Sequence, residues 1–286
     1  MVIVNIYLFL IPAFVYVLLQ TIDPHKALFL PRKTMHHVKD TVIEAATQVQ
    51  LVFVLIVCLI ALYLIYTLYQ YWQGDVHYAL GNNLNQVSQF QQAYYELHAA
   101  AALRNEPVFL DTLAYNDAII ATALLLQKDT TTAAILRNEA IATSNQTLLA
   151  HPNNITFWKT RARIFIALSQ ADPAYLKDAL TAMQQAAILA PTDAKVLETL
   201  GSLYAQVGQN EKAVEVLTQT IKDKPDYYDA YYALGVTYHN LAVDKSGKVV
   251  NPAMQQKAIE TMEYILAHFS PNDDRVKTLL KSWGAL

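Results

Sequence analysis

The chain has 286 residues, of which 54% are hydrophobic, and its mean hydropathy is +0.19. That apolar share is above the roughly 45–50% of an ordinary soluble domain. The formal net charge of −3 provides no basic excess for phosphates, which argues against general nucleic-acid binding. The only cysteine is Cys58, so the sequence excludes an intrachain disulfide.

The first predicted element is a transmembrane helix at residues 1–20. No charged residue occurs from 2 to 19, and a helix needs roughly 20 apolar residues to cross a bilayer. A cleaved signal peptide is the alternative, although the segment lacks a basic start and a small-residue cleavage site.

Residues 21–49 form a predicted cytoplasmic loop. It contains all the basic residues of the first 74 positions, namely Lys26, Arg32, Lys33 and Lys39. Loops rich in Lys and Arg lie on the cytoplasmic side of a membrane. The loop also contains three histidines, His25, His36 and His37. They could contact lipid headgroups or a metal ion, but the favoured interpretation is that the loop is a solvated segment.

A second transmembrane helix is predicted at residues 50–72. No charge occurs from 45 to 74, and an aromatic cluster typical of a membrane interface ends the segment, formed by Tyr69, Tyr71 and Trp72. The positive loop then places residues 75–286 outside the cytoplasm, in an integral protein of a bacterial cytoplasmic membrane.

The remaining residues show apolar positions at helical spacing, without strand-like alternation. The most regular stretch carries a recurring set of large, small and aromatic residues, namely Leu197, Leu200, Gly201, Tyr204, Ala213, Leu217 and Pro225. Pro191 and Pro225 are one 34-residue period apart, and the set restarts at Tyr231, Leu234, Gly235 and Tyr238. This pattern resembles the tetratricopeptide repeat (TPR), a helix-turn-helix unit that stacks into a solenoid.

Weaker copies of the pattern extend the array in both directions. The first unit contains Leu80, Gly81, Ala93 and Leu97; the second is degenerate around residues 109–126; and the third opens with Trp158. Each unit ends near a proline, at Pro107, Pro152, Pro191, Pro225 and Pro271. We therefore predict an all-α fold of about five TPR helix pairs, closed by a capping helix within 272–286.

In TPR arrays, fixed positions of each first helix line a ligand groove. Their equivalents here are Tyr78, Asn82 and Asn85 in the first unit, Lys159, Arg163 and Ile166 in the third, Glu198, Ser202 and Ala205 in the fourth, and Tyr232, Val236 and His239 in the fifth. These are the candidate residues for holding a protein or peptide.

Two groups within this set allow alternative interpretations. Lys159 and Arg163 share a helix face and either hold a ligand carboxylate or phosphate or are simply solvated, the favoured alternative. Tyr228 and Tyr232 also share a face; they either stack on a peptide or sugar ring or, more simply, pack between repeats.

The sequence contains no constellation for catalysis. It lacks the phosphate-binding, nucleophile-elbow and zinc-protease motifs and any cysteine cluster. We therefore expect no enzyme activity, no metal and no cofactor.

The layout also resembles the C-terminal part of bacterial O-antigen ligase-like membrane proteins, which end in membrane helices and a TPR tail. Matching stretches include ALGNNL at 79–84, PNNITFWKTRARIF at 152–165 and LAPTDAKV at 189–196. The resemblance implies a setting in cell-envelope glycan assembly. The many further membrane helices and the catalytic loop of those ligases are absent here, so no catalytic residue can be transferred.

Three hypotheses for the function follow from these observations. The first is a membrane-anchored TPR scaffold that binds a protein or peptide, with a polytopic glycan-assembly protein as one possible partner. The alternative is the C-terminal part of a ligase or polymerase whose catalytic region is encoded elsewhere. Direct sugar binding through Tyr228 and Tyr232 is a third, weaker hypothesis.

Overall fold

The computed structural model describes the backbone of residues 36–285 and the side chains of residues 50–285. These residues form a short 3-10 helix, Pro173–Tyr175, and eleven α-helices: α1 (His36–Gln86), α2 (Phe90–Leu103), α3 (Pro107–Leu126), α4 (Thr130–Ala150), α5 (Ile155–Ser169), α6 (Leu176–Leu189), α7 (Ala194–Gln206), α8 (Asn210–Asp223), α9 (Tyr228–Ala242), α10 (Pro252–His268) and α11 (Asp274–Ser282). The prediction of an all-α fold is confirmed. The predicted first transmembrane helix lies outside the described residues.

The chain divides into two compact units, Met1–Gln73 and Gly74–Leu286. Helix α1 contributes to both, since it begins at His36 and ends at Gln86. Residues 36–49, which we predicted as loop, are therefore helical, and the second predicted span and the first repeat helix are one element. The helix does not end between residues 72 and 75, where we predicted the span to give way to the repeat domain. Asp75 accepts a hydrogen bond from Arg104 Nη1 at 3.0 Å.

The second unit is a solenoid of helix pairs. The end of α1 lies against α2, where His77 Nδ1 is 2.7 Å from Glu96 Oε2. The next four pairs are α3 with α4, α5 with α6, α7 with α8, and α9 with α10. Helix α11 follows the last pair in the position of the predicted cap, and it buries Val276 and Leu280 completely.

Small residues allow the two helices of a pair to approach closely. A Cβ placed on Gly201 would lie 2.6 Å from Leu217 Cγ, and one on Gly81 would lie 2.7 Å from Leu97 Cγ. The recurring glycine of the repeat pattern is therefore a packing requirement in this chain.

Side-chain caps start several helices where the repeat pattern predicts them. The carboxylate of Asp193 accepts hydrogen bonds from the backbone N–H groups of Lys195 and Val196, at 2.9 and 3.2 Å. Asn154 caps α5 in the same way, and these bonds satisfy amides that have no partner within the helix.

The second pair departs most from the regular repeat. Helices α3 and α4 have 20 and 21 residues, whereas α7 and α8 of the best-matching unit have 13 and 14. The extra length removes the 34-residue period there. Helix α3 also buries Asp111, Asn116 and Asp117 within an otherwise apolar sequence.

Candidate functional site

The predicted groove residues fall into three rows along the first helices. We number them from the small residue at the helix crossing, which is Gly81, Ala114, Ala162, Gly201 or Gly235 in the successive units. The first row lies three positions earlier and contains Tyr78, Asp111, Lys159, Glu198 and Tyr232. The second row lies one position later and contains Asn82, Tyr115, Arg163, Ser202 and Val236. The third row lies four positions later and contains Asn85, Ala118, Ile166, Ala205 and His239.

By position, Asp111 and Tyr115 of the second unit fall in these rows, although Asp111 is buried, and neither was identified from the sequence. Helix α3 has no glycine at the crossing, and its length hides the period. The signal that could have found them is the helix start: Ala114 lies eight residues after Glu106, as Gly201 lies eight after Asp193.

Arg163 contacts an aromatic ring of the second unit. Its guanidinium carbon lies 3.9 Å from the centroid of the Tyr115 ring, which is cation–π distance. The charge of Arg163 and a hydrogen bond from Thr160 both stabilise ionised Asp111, but burial outweighs them and raises the pKa of Asp111 to about 7. The Asp111 carboxyl therefore retains its proton to a higher pH than an exposed aspartate would.

Lys159 is held less firmly. Its Nζ lies 3.8 Å from Asp193 Oδ2, and both side chains are more than a third exposed. Ion pairs of this kind contribute about 0–1 kcal/mol, so a ligand carboxylate could replace Asp193 at small cost. Of the two basic residues, Lys159 is thus the more available.

The fourth unit presents a carboxylate that is well supplied with donors. Ser202 Oγ donates to Glu198 Oε1 at 3.0 Å, and Lys195 Nζ lies 3.7 Å from Glu198 Oε2. Burial still raises the pKa of Glu198, against the opposing effects of Ser202 and Lys195. Glu198 and Ser202 therefore form a polar patch beside the basic third unit.

In the first unit the predicted residues contact the second. The Tyr78 ring stacks on Phe109 at 4.6 Å between centroids. Asn85 Oδ1 accepts a hydrogen bond from the buried Asn116 Nδ2 at 2.7 Å. Asn82 is half-buried.

In the fifth unit the predicted residues lie against the cap. The hydroxyl of Tyr228 donates to Asp273 Oδ2 at 2.6 Å. The Arg275 guanidinium carbon lies 5.6 Å from the Tyr228 ring centroid and 5.5 Å from that of Tyr232. His239 stacks on Trp283 at 4.3 Å. A ligand that stacks on Tyr228 and Tyr232 from this side would have to displace the Arg275 guanidinium.

The rows thus combine acidic, basic, amide and aromatic groups, which suits recognition. Among residues 50–285, no group of three or more His, Cys, Asp or Glu side chains is placed to hold a metal ion.

Comparison with known proteins agrees with this architecture. Residues 201–241 match the model of a TPR repeat family. A thermophilic TPR protein of Thermus thermophilus, TTC0263, superposes with a TM-score of 0.52 at 20% identity, over 74% of this chain and all of that one. A tetratricopeptide repeat protein of Parabacteroides merdae gives a TM-score of 0.52 at 15% identity, over 75% of each chain. No curated protein matches the sequence.

These results define the class of the repeat unit, which is a TPR-type solenoid. Proteins of this architecture bind other molecules along the surface that their stacked helices create.

Proposed function

We propose that the chain is a membrane-anchored TPR scaffold. Its repeat domain, residues 75–286, binds a protein or peptide through the first-helix rows on the extracytoplasmic side of the membrane. The observation that carries the proposal is the combination of a TPR solenoid with an apolar helix whose described side chains are mostly exposed.

The membrane part rests on the exposure of that helix. The most apolar 18-residue stretch of Gln50–Gln86 has a mean hydropathy of 2.9, and none of its residues is buried by protein. Leu62 and Tyr63 are 62% and 66% exposed. Large contiguous apolar surfaces of this kind are rare in water and are expected where lipid or another protein covers them.

Helix α3 is also long and apolar enough to cross a membrane, but its apolar character has a different explanation. Half of its apolar window is buried in the solenoid, and it carries the buried polar residues Asp111, Asn116 and Asp117. Membrane helices rarely contain such groups, so we assign α3 to the repeat core.

Reporter fusions test the placement. A reporter active only outside the cytoplasm, fused after Gly74 or at the C-terminus, should be active, and a fusion within residues 21–35 should be silent. Activity of a cytoplasm-specific reporter at the first two positions would refute the proposed orientation while leaving the scaffold function intact.

Photo-crosslinking in cells tests the binding face. A photoreactive amino acid at Asn82 or Ala205, whose side chains make no hydrogen bond among the described residues, should yield discrete adducts with a partner. The matched controls are the exposed second-helix residues Gln185 and Glu211. Adducts from the controls alone would move the binding face to the second helices.

We place this scaffold in cell-envelope glycan assembly because of its resemblance to the TPR tails of O-antigen ligase-like proteins. The alternative is that the chain completes such an enzyme as a separate C-terminal part. A neighbouring reading frame that encodes the missing membrane helices and loop, and whose product co-purifies with this chain, would favour the alternative.

A further inference from the structure

The only lysine and the only arginine of the three groove rows lie next to each other in the third unit. Lys159 belongs to the first row and Arg163 to the second, four residues apart on α5, so both side chains lie on one face of the helix. The corresponding positions of the fourth unit hold Glu198 and Ser202. The rows therefore concentrate positive charge at one point, beside a unit that carries negative charge.

The arginine is held in place while its hydrogen-bond donors stay available. Its guanidinium carbon lies over the ring of Tyr115, 3.9 Å from the centroid, and the residue is exposed. Among residues 50–285, no acceptor receives a hydrogen bond from the Arg163 guanidinium and no carboxylate lies within ion-pair distance of it. The N–H groups of an arginine form a rigid planar fork. Contact with the aromatic ring uses the face of that fork and leaves its edge to a ligand.

Lys159 adds a second charge that can turn to a ligand. Its Nζ lies 3.8 Å from Asp193 Oδ2, which is a loose and partly exposed ion pair. The hydrogen bonds by which Asp193 caps α7 use the other oxygen, Oδ1. The helix cap therefore persists when Lys159 leaves the aspartate.

The surroundings favour a singly charged anion. Asp193 already compensates part of the Lys159 charge, and Glu198 is the first-row residue of the next unit. A doubly charged phosphate would be repelled more strongly by these carboxylates than a singly charged group. A planar carboxylate can accept two parallel hydrogen bonds from one arginine fork, so it needs no further cation.

We propose that Lys159 and Arg163 bind a carboxylate of an acidic peptide, either an Asp or Glu side chain or a free C-terminus. The inference rests on the proposed scaffold function, because it names the chemistry that the first-helix rows recognise. Arg163 holds the carboxylate through the edge of its guanidinium, Tyr115 keeps that guanidinium in position, and Lys159 approaches from one turn earlier on α5.

Peptide selection on the full chain, held in a nonionic detergent, tests the inference. A random heptapeptide library is prepared in two arms, one with free C-termini and one with amidated C-termini. Enrichment of Asp or Glu in both arms is expected if a side-chain carboxylate is bound. Binding confined to the arm with free C-termini is expected if the terminal carboxylate is bound.

The peptide that binds best then enters a double-mutant cycle. Arg163→Gln should weaken its binding about ten-fold or more, and so should conversion of the peptide carboxylate to an amide. The two changes together should cost little more than either alone, because both remove the same contact.

Two further variants separate charge from position. Tyr115→Leu keeps both cations and should weaken binding about three-fold, because the guanidinium loses the ring that holds it. Lys177→Gln removes one charge from an exposed lysine of α6, outside the rows, and should leave binding unchanged. Circular dichroism should first show that every variant is folded at the temperature of the measurement.

The inference fails if the selected peptides show no excess of carboxylates over the starting library, or if the losses in the cycle are additive. Tighter binding of a phosphoserine peptide than of its aspartate counterpart would also overturn it. If the crosslinks at Asn82 and Ala205 form despite such a result, the scaffold function stands without this site. If neither peptides nor crosslinks are found, the scaffold function itself is refuted.

Discussion

The glycines at the helix crossings differ in how much they could tolerate a side chain. The Cβ of an alanine at position 201 would meet the branch carbon of Leu217 at 2.6 Å, and that atom cannot turn away. At position 235 the nearest atom is Met262 Cε at 2.8 Å, the free end of a flexible chain. The same substitution should therefore have different effects in neighbouring units.

We expect Gly201→Ala to destabilise the protein by about 1–3 kcal/mol through overpacking, reduced by up to about 1 kcal/mol of gained helix propensity. Gly235→Ala should cost less, because Met262 can move. Thermal unfolding followed by circular dichroism measures both, with the exposed Gln206→Ala as control. Equal losses at positions 201 and 235 would show that the side chain opposite the glycine does not determine the cost.

Asp117 should make the fold sensitive to alkaline pH. The residue is 2% exposed, and burial, reinforced by the charge of Glu139, raises the pKa of Asp117 to about 8. In the unfolded chain this pKa is about 3.9. Between these values the folded state retains a proton that the unfolded state has lost, so the free energy of unfolding falls as pH rises from about 4 to 8.

Asp117→Asn removes this titration and should make the melting temperature less dependent on pH, with the largest gain over wild type at about pH 9. Asp226→Asn, at an exposed carboxylate, should reproduce the wild-type profile. Parallel profiles for the wild type and Asp117→Asn would mean that Asp117 is already ionised in the folded protein.

Among the elements, α11 protects the end of the solenoid. Its Val276 and Leu280 pack with Met262 and Ile265 of α10, and all four side chains are fully buried. Leu280→Ala should cost about 2–5 kcal/mol by leaving a cavity. Repeat proteins respond locally because each unit contacts only its neighbours.

Hydrogen exchange should therefore accelerate in α9, α10 and α11 of Leu280→Ala and remain unchanged in α5 and α6. Thr278→Ala is a suitable control, because its hydroxyl bonds only to the carbonyl of Asp274 within the same helix. Uniform acceleration across all helices would show that the solenoid unfolds as one cooperative unit.

The elements also show where sequence reasoning succeeds. The units from Trp158 onward follow the expected order because prolines, caps and glycines mark each boundary locally. Two features escaped it. Helix α3 places polar residues in the core, and a pattern of apolar positions cannot predict such residues. Helix α1 continues through Gly74, and no sequence rule shows which residues pack around that glycine.

At the scale of the whole molecule, the principal question is the surroundings of α1. Among the described residues, most of its apolar side chains between Leu51 and Trp72 are exposed, whereas the solenoid buries apolar side chains in every helix pair. A membrane would account for the difference, and so would a partner protein. Cys58 can distinguish bilayer from water because it is the only cysteine and lies within the apolar stretch.

In intact membranes we expect Cys58 to resist a water-soluble maleimide and to react once the membrane is dissolved and the protein unfolded. The physical reason is that a water-soluble maleimide does not enter the hydrocarbon core of a bilayer. A Cys58→Ser chain carrying Gln206→Cys provides the matched control, since Gln206 is exposed in the repeat unit. That cysteine should react in intact cells whose outer barrier has been removed, as the proposed extracytoplasmic placement requires. Rapid labelling of Cys58 before solubilisation would show that water reaches α1, and the anchor would then have to be sought in residues 1–20.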